Sequence, residues 1–434
     1  MFFNSYQFLF IFLPIVLIGF WSLKSKYRVG FLIISSIIFY AVWSWLHLVI
    51  LLSSITINFW FAKKISSNYN RNWLIFAIII NLLPLIYFKY SLGVNESMVL
   101  PLAISFYTFQ QIAFLIDLYQ KRIILDGFIK YIFFVMFFPQ LVAGPIVHYN
   151  QLISQVNSGI LSRLNIELIE KGILIFSIGL FKKVALADTF FIISNSQDSW
   201  AGVFAYSFGI YFDFSAYSDM AIGLAMLFGI ILPINFNSPY KADNLVEFWR
   251  RWHITLSEFL KYYIYIPLGG NRNGKGREVA SLILTMSIGG VWHGAGWNFL
   301  LWGTAHGIFL VIVHILPSSK DKDYFILNIL KIVVTFITVS LLWVLFFSHS
   351  INEAFEYYKT LFTFDFKMIS PKIIIELLIG FIIIWVMPNS IEISRYETAE
   401  RLKWYYGVYG AILMFISLKI MAVVPSNSFV YFNF

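Results

Sequence analysis

Residues 289–307 read Gly289-Gly290-Val291-Trp292-His293-Gly294-Ala295-Gly296-Trp297-Asn298-Phe299-Leu300-Leu301-Trp302-Gly303-Thr304-Ala305-His306-Gly307. They sit between two apolar runs, 279–298 and 299–316, each near the roughly 20 residues a helix needs to cross hydrocarbon. Gly290 and Gly294 bracket His293 at the small-xxx-small spacing that lets helix backbones approach closely. A histidine held there is wrapped by neighbouring helices and shielded from lipid. Its neutral imidazole suits a general base near neutral pH, and equally a packing histidine with one satisfied hydrogen bond.

The rest of the chain extends the same pattern. Of 434 residues, 59% are hydrophobic and 12% charged, and the mean hydropathy is +0.77. A soluble domain has roughly 45–50% apolar and 25% charged residues, so soluble, disordered and fibrous classes are excluded. Apolar runs near 6–23, 29–46, 47–62, 73–88, 100–118, 130–147, 170–190, 199–212, 215–232, 325–347, 371–388 and 406–424 join the two already named. They predict an all-α polytopic membrane protein of about 11–13 transmembrane and re-entrant helices, forming a single domain over 1–434. Met1 to Phe20 carries no basic n-region or small-residue cleavage site, which predicts a retained helix. The absence of cysteine excludes a thiol nucleophile, a disulfide framework and a cysteinyl metal site.

The net charge of +9 is carried by cations that cluster between spans, where they act as topology signals and contacts to anionic lipid, with no nucleic-acid partner implied. Lys24, Lys26 and Arg28 follow the first span, Lys63, Lys64 and Arg71 the third, and Lys121, Arg122 and Lys130 the fifth. The positive-inside rule then places the N-terminus outside. Segment 241–278 carries Lys241, Arg250, Arg251, Lys261, Arg272, Lys275 and Arg277 against Asp243, Glu247, Glu258 and Glu278. That excess fits ordinary anchoring, and it also fits an anionic cytosolic ligand such as a phosphate-bearing cofactor.

Further polar residues stand at membrane depth, where an ionisable group is costly. On one continuous helix, 293 to 306 would rotate about 220° and rise about 20 Å, so the two histidines could not share a substrate atom. His306 therefore reads as structural, and His306→Gln is expected to do much less than His293→Ala. Glu247-Phe248-Trp249-Arg250-Arg251-Trp252-His253-Ile254-Thr255-Leu256-Ser257 fits an interfacial helix with indoles at the headgroups, or a phosphate site with His253 facing inward. Pro267-Leu268-Gly269-Gly270-Asn271-Arg272-Asn273-Gly274-Lys275-Gly276 is a glycine-rich turn without the P-loop pattern. Asp213-Phe214-Ser215-Ala216-Tyr217-Ser218-Asp219 allows a proton relay, a cation site or a bundle-fixing network. No HExxH or other histidine spacing suggests zinc, and no metal is expected.

Taken together these stretches resemble the membrane-bound O-acyltransferases (MBOAT), in particular the bacterial branch containing membrane subunits for alginate and peptidoglycan O-acetylation. The resemblance covers most of the chain. It runs through Met1–Tyr6, Leu102–Gln111, Phe138–Ile146, the Asp213–Asp219 cluster, Asn237-Ser238-Pro239-Tyr240, Phe248–Ser257 and Trp292-His293-Gly294, with the motif-rich core at about 101–316. It implies an MBOAT-like helical bundle around a trans-bilayer tunnel that passes an acyl group from a cytosolic thioester, acetyl-CoA, to an acceptor arriving from outside. The family's catalytic histidine maps onto His293, and its second functional polar residue onto His253, which would stabilise the oxyanion or orient the thioester. Charge and position add Arg250, Arg251, Asn271, Arg272 and Lys275 as coenzyme A contacts.

The same branch implies a bacterial cytoplasmic membrane location, an envelope polysaccharide acceptor, and a separate periplasmic or extracellular SGNH or serine-esterase-like partner, since spans and short loops account for all 434 residues. The teichoic acid D-alanylation protein is a relative whose donor is an acylated carrier. The Gly269-Gly270-Asn271-Arg272 turn looks more like the alginate-type branch. An ion-coupled transporter or flippase is the competing class, but no internal repeat supports it.

Overall fold

A computed structural model describes residues 1–91, 100–272, 274–315, 325–363, 369–396, 398, 401–424 and 429–430. Asn273 of the glycine-rich turn and Leu316 at the end of one expected span lie outside the described residues. Among the described residues, all regular structure is helical. Five helices among the described residues are long and apolar enough to cross a bilayer unaided: Trp45–Asn68, Arg71–Tyr90, Trp297–Ile315, Phe325–Phe347 and Trp404–Val423.

Other expected spans are assembled from shorter pieces, and the breaks have local causes. The first is a π-helical turn, Phe8–Phe12, leading into Leu13–Ser22, whose second residue, Pro14, has no N–H to continue the ladder. The 130–147 run divides into Phe128–Met136 and Phe138–Leu141: Phe137 leaves the helical region, and Pro139, in the first turn of the second piece, has no N–H to donate back across the break. The expected pair 199–212 and 215–232 is corrected: Trp200–Leu227 is one helix. The polar cluster that looked like a boundary lies in its interior, where Asp213, Ser215, Ser218 and Asp219 are all buried.

The chain groups into two compact units. The first comprises Met1–Phe181, Ala216–Pro233 and Ser394–Asn433; the second comprises Lys182–Ser215 and Ile234–Ile393. In the first unit, a chain of side-chain hydrogen bonds ties four helices together, from the Tyr131 hydroxyl to Gln111 (2.9 Å), Gln111 to Ser54 (3.0 Å), and Asn58 to Asn81 (2.9 and 2.6 Å). Asn58 also reaches Ser54, at 3.4 Å, which closes the chain. Interhelical polar contacts of this kind hold bundles together where apolar burial between helices and lipid tails is nearly neutral. Arg28 is buried in the same unit, stacked on Phe20 and Trp21, and donates to the Leu161, Leu23 and Trp21 carbonyls.

The second unit has two organising features. One is ionic: Lys183 Nζ, in the π-helical segment Lys182–Ala187, lies 2.9 Å from Asp188 and 2.8 Å from Asp213, with all three side chains buried. Beside it Lys182 donates to Ser215 at 3.2 Å. Asp213 is thus held by a lysine, which gives the 213–219 cluster a structural partner that the sequence reading overlooked. The other is a helical hairpin, Lys275–His293 and Trp297–Ile315, where backbones touch. A Cβ on Gly290 would overlap the Phe299 carbonyl oxygen and lie 3.0 Å from Gly303 Cα. Gly294 does a different job from the packing role expected: it ends the first helix, and a Cβ there would strike the Phe299 ring.

Removing one member of a buried ion pair leaves an uncompensated charge, at a cost of about 3–5 kcal/mol. Lys183→Met should therefore lower the unfolding midpoint of the detergent-solubilised protein sharply, whereas Lys359→Met, at an exposed pair with Glu356, should leave it unchanged.

Candidate active site

The segment carrying His253 is two short helices, Leu245–Arg251 and Ile254–Leu260. Asn244 starts the first by accepting from the Glu247 N–H at 2.9 Å. The chain then leaves the helix at Trp252 and passes through His253 in the left-handed region, φ 43° and ψ 54°. Such a conformation is rare for a residue with a bulky side chain and is held in place by its surroundings. Those surroundings are the 235–237 strand of chain: Asn237 N–H donates to the Arg251 carbonyl (2.9 Å) and Ile254 N–H to the Asn235 carbonyl (3.0 Å).

Asn235 also sets the chemistry of the imidazole. Its Oδ1 accepts from the Thr255 N–H at 3.2 Å and the Thr255 hydroxyl at 2.9 Å, and lies 3.1 Å from His253 Nδ1. An amide oxygen has no proton to give, so Nδ1 carries the hydrogen and Nε2 is the lone-pair nitrogen of the neutral ring. The ring is fully enclosed, packed edge-on against Phe214 with centroids 4.5 Å apart.

His293 is the last residue of Lys275–His293 and is buried. Carbonyls of a helix's last turn favour positive charge, which is what a base acquires when it takes a proton. Its ring meets Trp302 edge-on at 5.2 Å and Phe346 at 5.1 Å. From His293 to His253 the rings are continuous: Trp302 on Trp343 (5.7 Å), Trp343 on Trp252 (5.1 Å), and Trp252 on Phe236 (5.1 Å) beside the His253 ring. Trp343 Nε1 donates to the Tyr240 hydroxyl at 3.1 Å, and that hydroxyl donates to the Ser207 carbonyl at 2.7 Å.

The hairpin changes the reading of His306. Residues 293–306 are not one helix; the chain turns at Gly294–Gly296, so His306 folds back to the same aromatic cluster. Its ring lies 4.8 Å from Trp302, and its Nδ1 accepts from Trp249 Nε1 at 3.2 Å.

Trp249 and Trp252 are buried and do not lie as an interfacial belt. Trp249 forms part of the wall of a cleft of about 280 Å³, together with Ser257, Leu260 and Met286, and with Arg250 and Lys261 among its polar residues. Arg251 is engaged with Glu247 at 2.9 Å, and Arg250, largely exposed, lies 3.6 Å from the same carboxylate. Asn271 and Arg272, in an exposed turn, and Lys275, exposed at the start of Lys275–His293, lie outside the lining of this cleft.

The family model for membrane-bound O-acyltransferases (MBOAT) matches residues 125–351, a segment that contains His253, His293, His306 and Lys183. The chain belongs to this family. It is therefore an acyltransferase and a multi-pass membrane protein. Among similar proteins, the peptidoglycan O-acetyltransferase of Helicobacter pylori is 40% identical, with 82% of this chain and 79% of that protein covered. A Pseudomonas aeruginosa protein named probable alginate O-acetylase AlgI is 37% identical, covering 84% and 75%. The teichoic acid D-alanyltransferase of Streptococcus thermophilus is 28% identical over 58% of this chain and 66% of that protein.

In this O-acyltransferase the sequence reading missed Asn235, Lys183 and Trp302. Asn235 lies in Ile234-Asn235-Phe236-Asn237, a polar residue between apolar ones next to the quoted 237–240 motif. Replacing it with leucine orphans the donors of His253 and Thr255, at roughly 1–3 kcal/mol each. Asn235→Leu should lower both thermal stability and turnover, measured on the same purified sample.

Proposed function

We propose that this enzyme takes an acetyl group from acetyl-CoA at the cytosolic face of a bacterial cytoplasmic membrane and passes it outward for O-acetylation of an envelope polysaccharide, peptidoglycan or alginate-like. The observation that carries the reading is the enclosed His293 at the end of its helix, in the family segment, one aromatic ring away from a cleft-lining system that begins at Trp249. The higher identity to the two O-acetylating relatives than to the D-alanyltransferase supports acetyl as the group moved. The N-terminus faces outward, and a separate SGNH or serine-esterase-like protein outside the membrane completes delivery to the polymer.

The chemistry follows from the residues. Arg250 and Lys261 attract the phosphates of the donor, while the apolar walls of the cleft accept its pantetheine arm. An acceptor hydroxyl attacks the thioester carbonyl carbon as His293 takes its proton, and the carbonyl π pair moves onto oxygen. Collapse of the tetrahedral intermediate re-forms the carbonyl and breaks the C–S bond; the leaving thiolate takes the proton back from His293. His253, with its lone pair on Nε2, is suited to receive a hydrogen bond from a second donor group of the acceptor, and so to orient it, in place of the expected role of stabilising the oxyanion or orienting the thioester.

Purified protein in nanodiscs, given radiolabelled acetyl-CoA, should transfer or release label, and His293→Ala should lose it by at least the 10²–10⁴-fold that a general base contributes. Consumption of a D-alanyl carrier but not of acetyl-CoA would replace acetyl with the carrier-bound acyl group. Arg250→Ala should raise KM for acetyl-CoA several-fold with kcat nearly unchanged, and the effect should shrink at high salt.

A further inference from the structure

We infer that His306 Nε2–H and Trp302 Nε1–H are the hydrogen-bond donors that hold the acyl carbonyl oxygen during transfer; this rests on the acyl-transfer reading above and assigns its missing half. Trp249 Nε1 is a donor with no acceptor capacity, and it points at His306 Nδ1 from 3.2 Å. The Nδ1 therefore carries a lone pair, and the neutral His306 ring has its hydrogen on Nε2. That N–H is fully buried and makes no hydrogen bond within the described residues. One helical turn earlier, Trp302 Nε1–H is also buried and also makes none. Two enclosed N–H groups on one helix face, with no acceptor among the described residues, are complementary to an oxygen that arrives with a substrate.

Their position identifies that oxygen. Trp249 lines the cleft and contacts His306; the His306 ring packs on Trp302 at 4.8 Å; Trp302 packs on His293 at 5.2 Å. The donors thus lie between the cleft wall and the base. A thioester carbonyl being attacked under the control of His293 falls in that interval, and the negative charge that develops there needs N–H donors in a dry enclosure. Neutral His253 cannot serve, because its proton is committed to Asn235. When the hydroxyl adds, the carbonyl π electrons rest on this oxygen against the two N–H groups; they return to carbon as the C–S bond breaks, and neither donor gives up its proton.

The test compares Trp302→Phe, which removes the N–H and keeps a ring, His306→Phe, and His306→Gln, which keeps a donor. Two readouts are taken in nanodiscs: steady-state label transfer from acetyl-CoA, and the infrared carbonyl band of bound [1-¹³C]acetyl-CoA. The two phenylalanine variants should lose roughly 10²–10³-fold in kcat, as removal of an oxyanion donor does, with KM and the pH profile unchanged. The wild-type carbonyl band should be shifted to lower frequency and return toward its solution position in both, and His306→Gln should recover part of kcat and of the shift. This is a larger role for His306 than the sequence alone suggested. Unchanged kcat and an unchanged band in the phenylalanine variants, alongside loss of transfer in His293→Ala, would overturn the donor pair and leave the acetyltransfer reading standing. A wild type that neither transfers label nor shows a bound carbonyl band would overturn both.

Discussion

Gly290 and Gly303 bring two helix backbones into contact, and the placement of the reactive groups in the second unit depends on that contact. With any side chain at either position the helices would have to separate, and the aromatic rings that pass between His293, Trp302 and His306 would lose their spacing. The close approach also explains why the hairpin turn is so short. Gly294, Ala295 and Gly296 suffice to reverse the chain because no side-chain bulk keeps the helices apart.

His253, His293 and His306 share a residue type but differ in their neighbours, and the neighbours decide what each ring can do. Asn235 offers His253 an acceptor and Trp249 offers His306 a donor, so the two neutral rings expose opposite kinds of nitrogen. His293 ends a helix, beside carbonyls that tolerate a gained proton. A base, an acceptor-orienting lone pair and a donor to an oxyanion can therefore be drawn from one amino acid, without charged side chains having to enter the aromatic enclosure.

Charge is handled differently elsewhere in the second unit. Lys183 sits between Asp188 and Asp213 where a π-helical turn displaces it from the regular helical register. The pairs give each carboxylate a partner in a setting where an unpaired one would be costly. Arg250, by contrast, is largely exposed on the cleft, 3.6 Å from Glu247, where an anionic ligand can reach it.

Hydrophobic content, the run lengths of apolar residues and the clustering of cations were enough to establish a helical, multi-pass membrane protein, because the cost of unpaired backbone in lipid leaves few alternatives. The Trp292-His293-Gly294 stretch made His293 a candidate in the sequence. Other features were beyond one-dimensional reading. Trp200–Leu227 was divided in two because a polar cluster inside a helix looks like an end until Lys183 is seen to satisfy Asp213. A continuous helix would carry His306 away from His293, and the reversal at Gly294–Gly296, which one dimension does not reveal, brings it back. The tautomers of His253 and His306 were inaccessible for the same reason: each is set by a partner 18 or 57 residues away, and a proton's position on a ring is decided by what touches the other nitrogen. The residue types belong to the sequence, but which nitrogen bears the hydrogen belongs to the tertiary contacts.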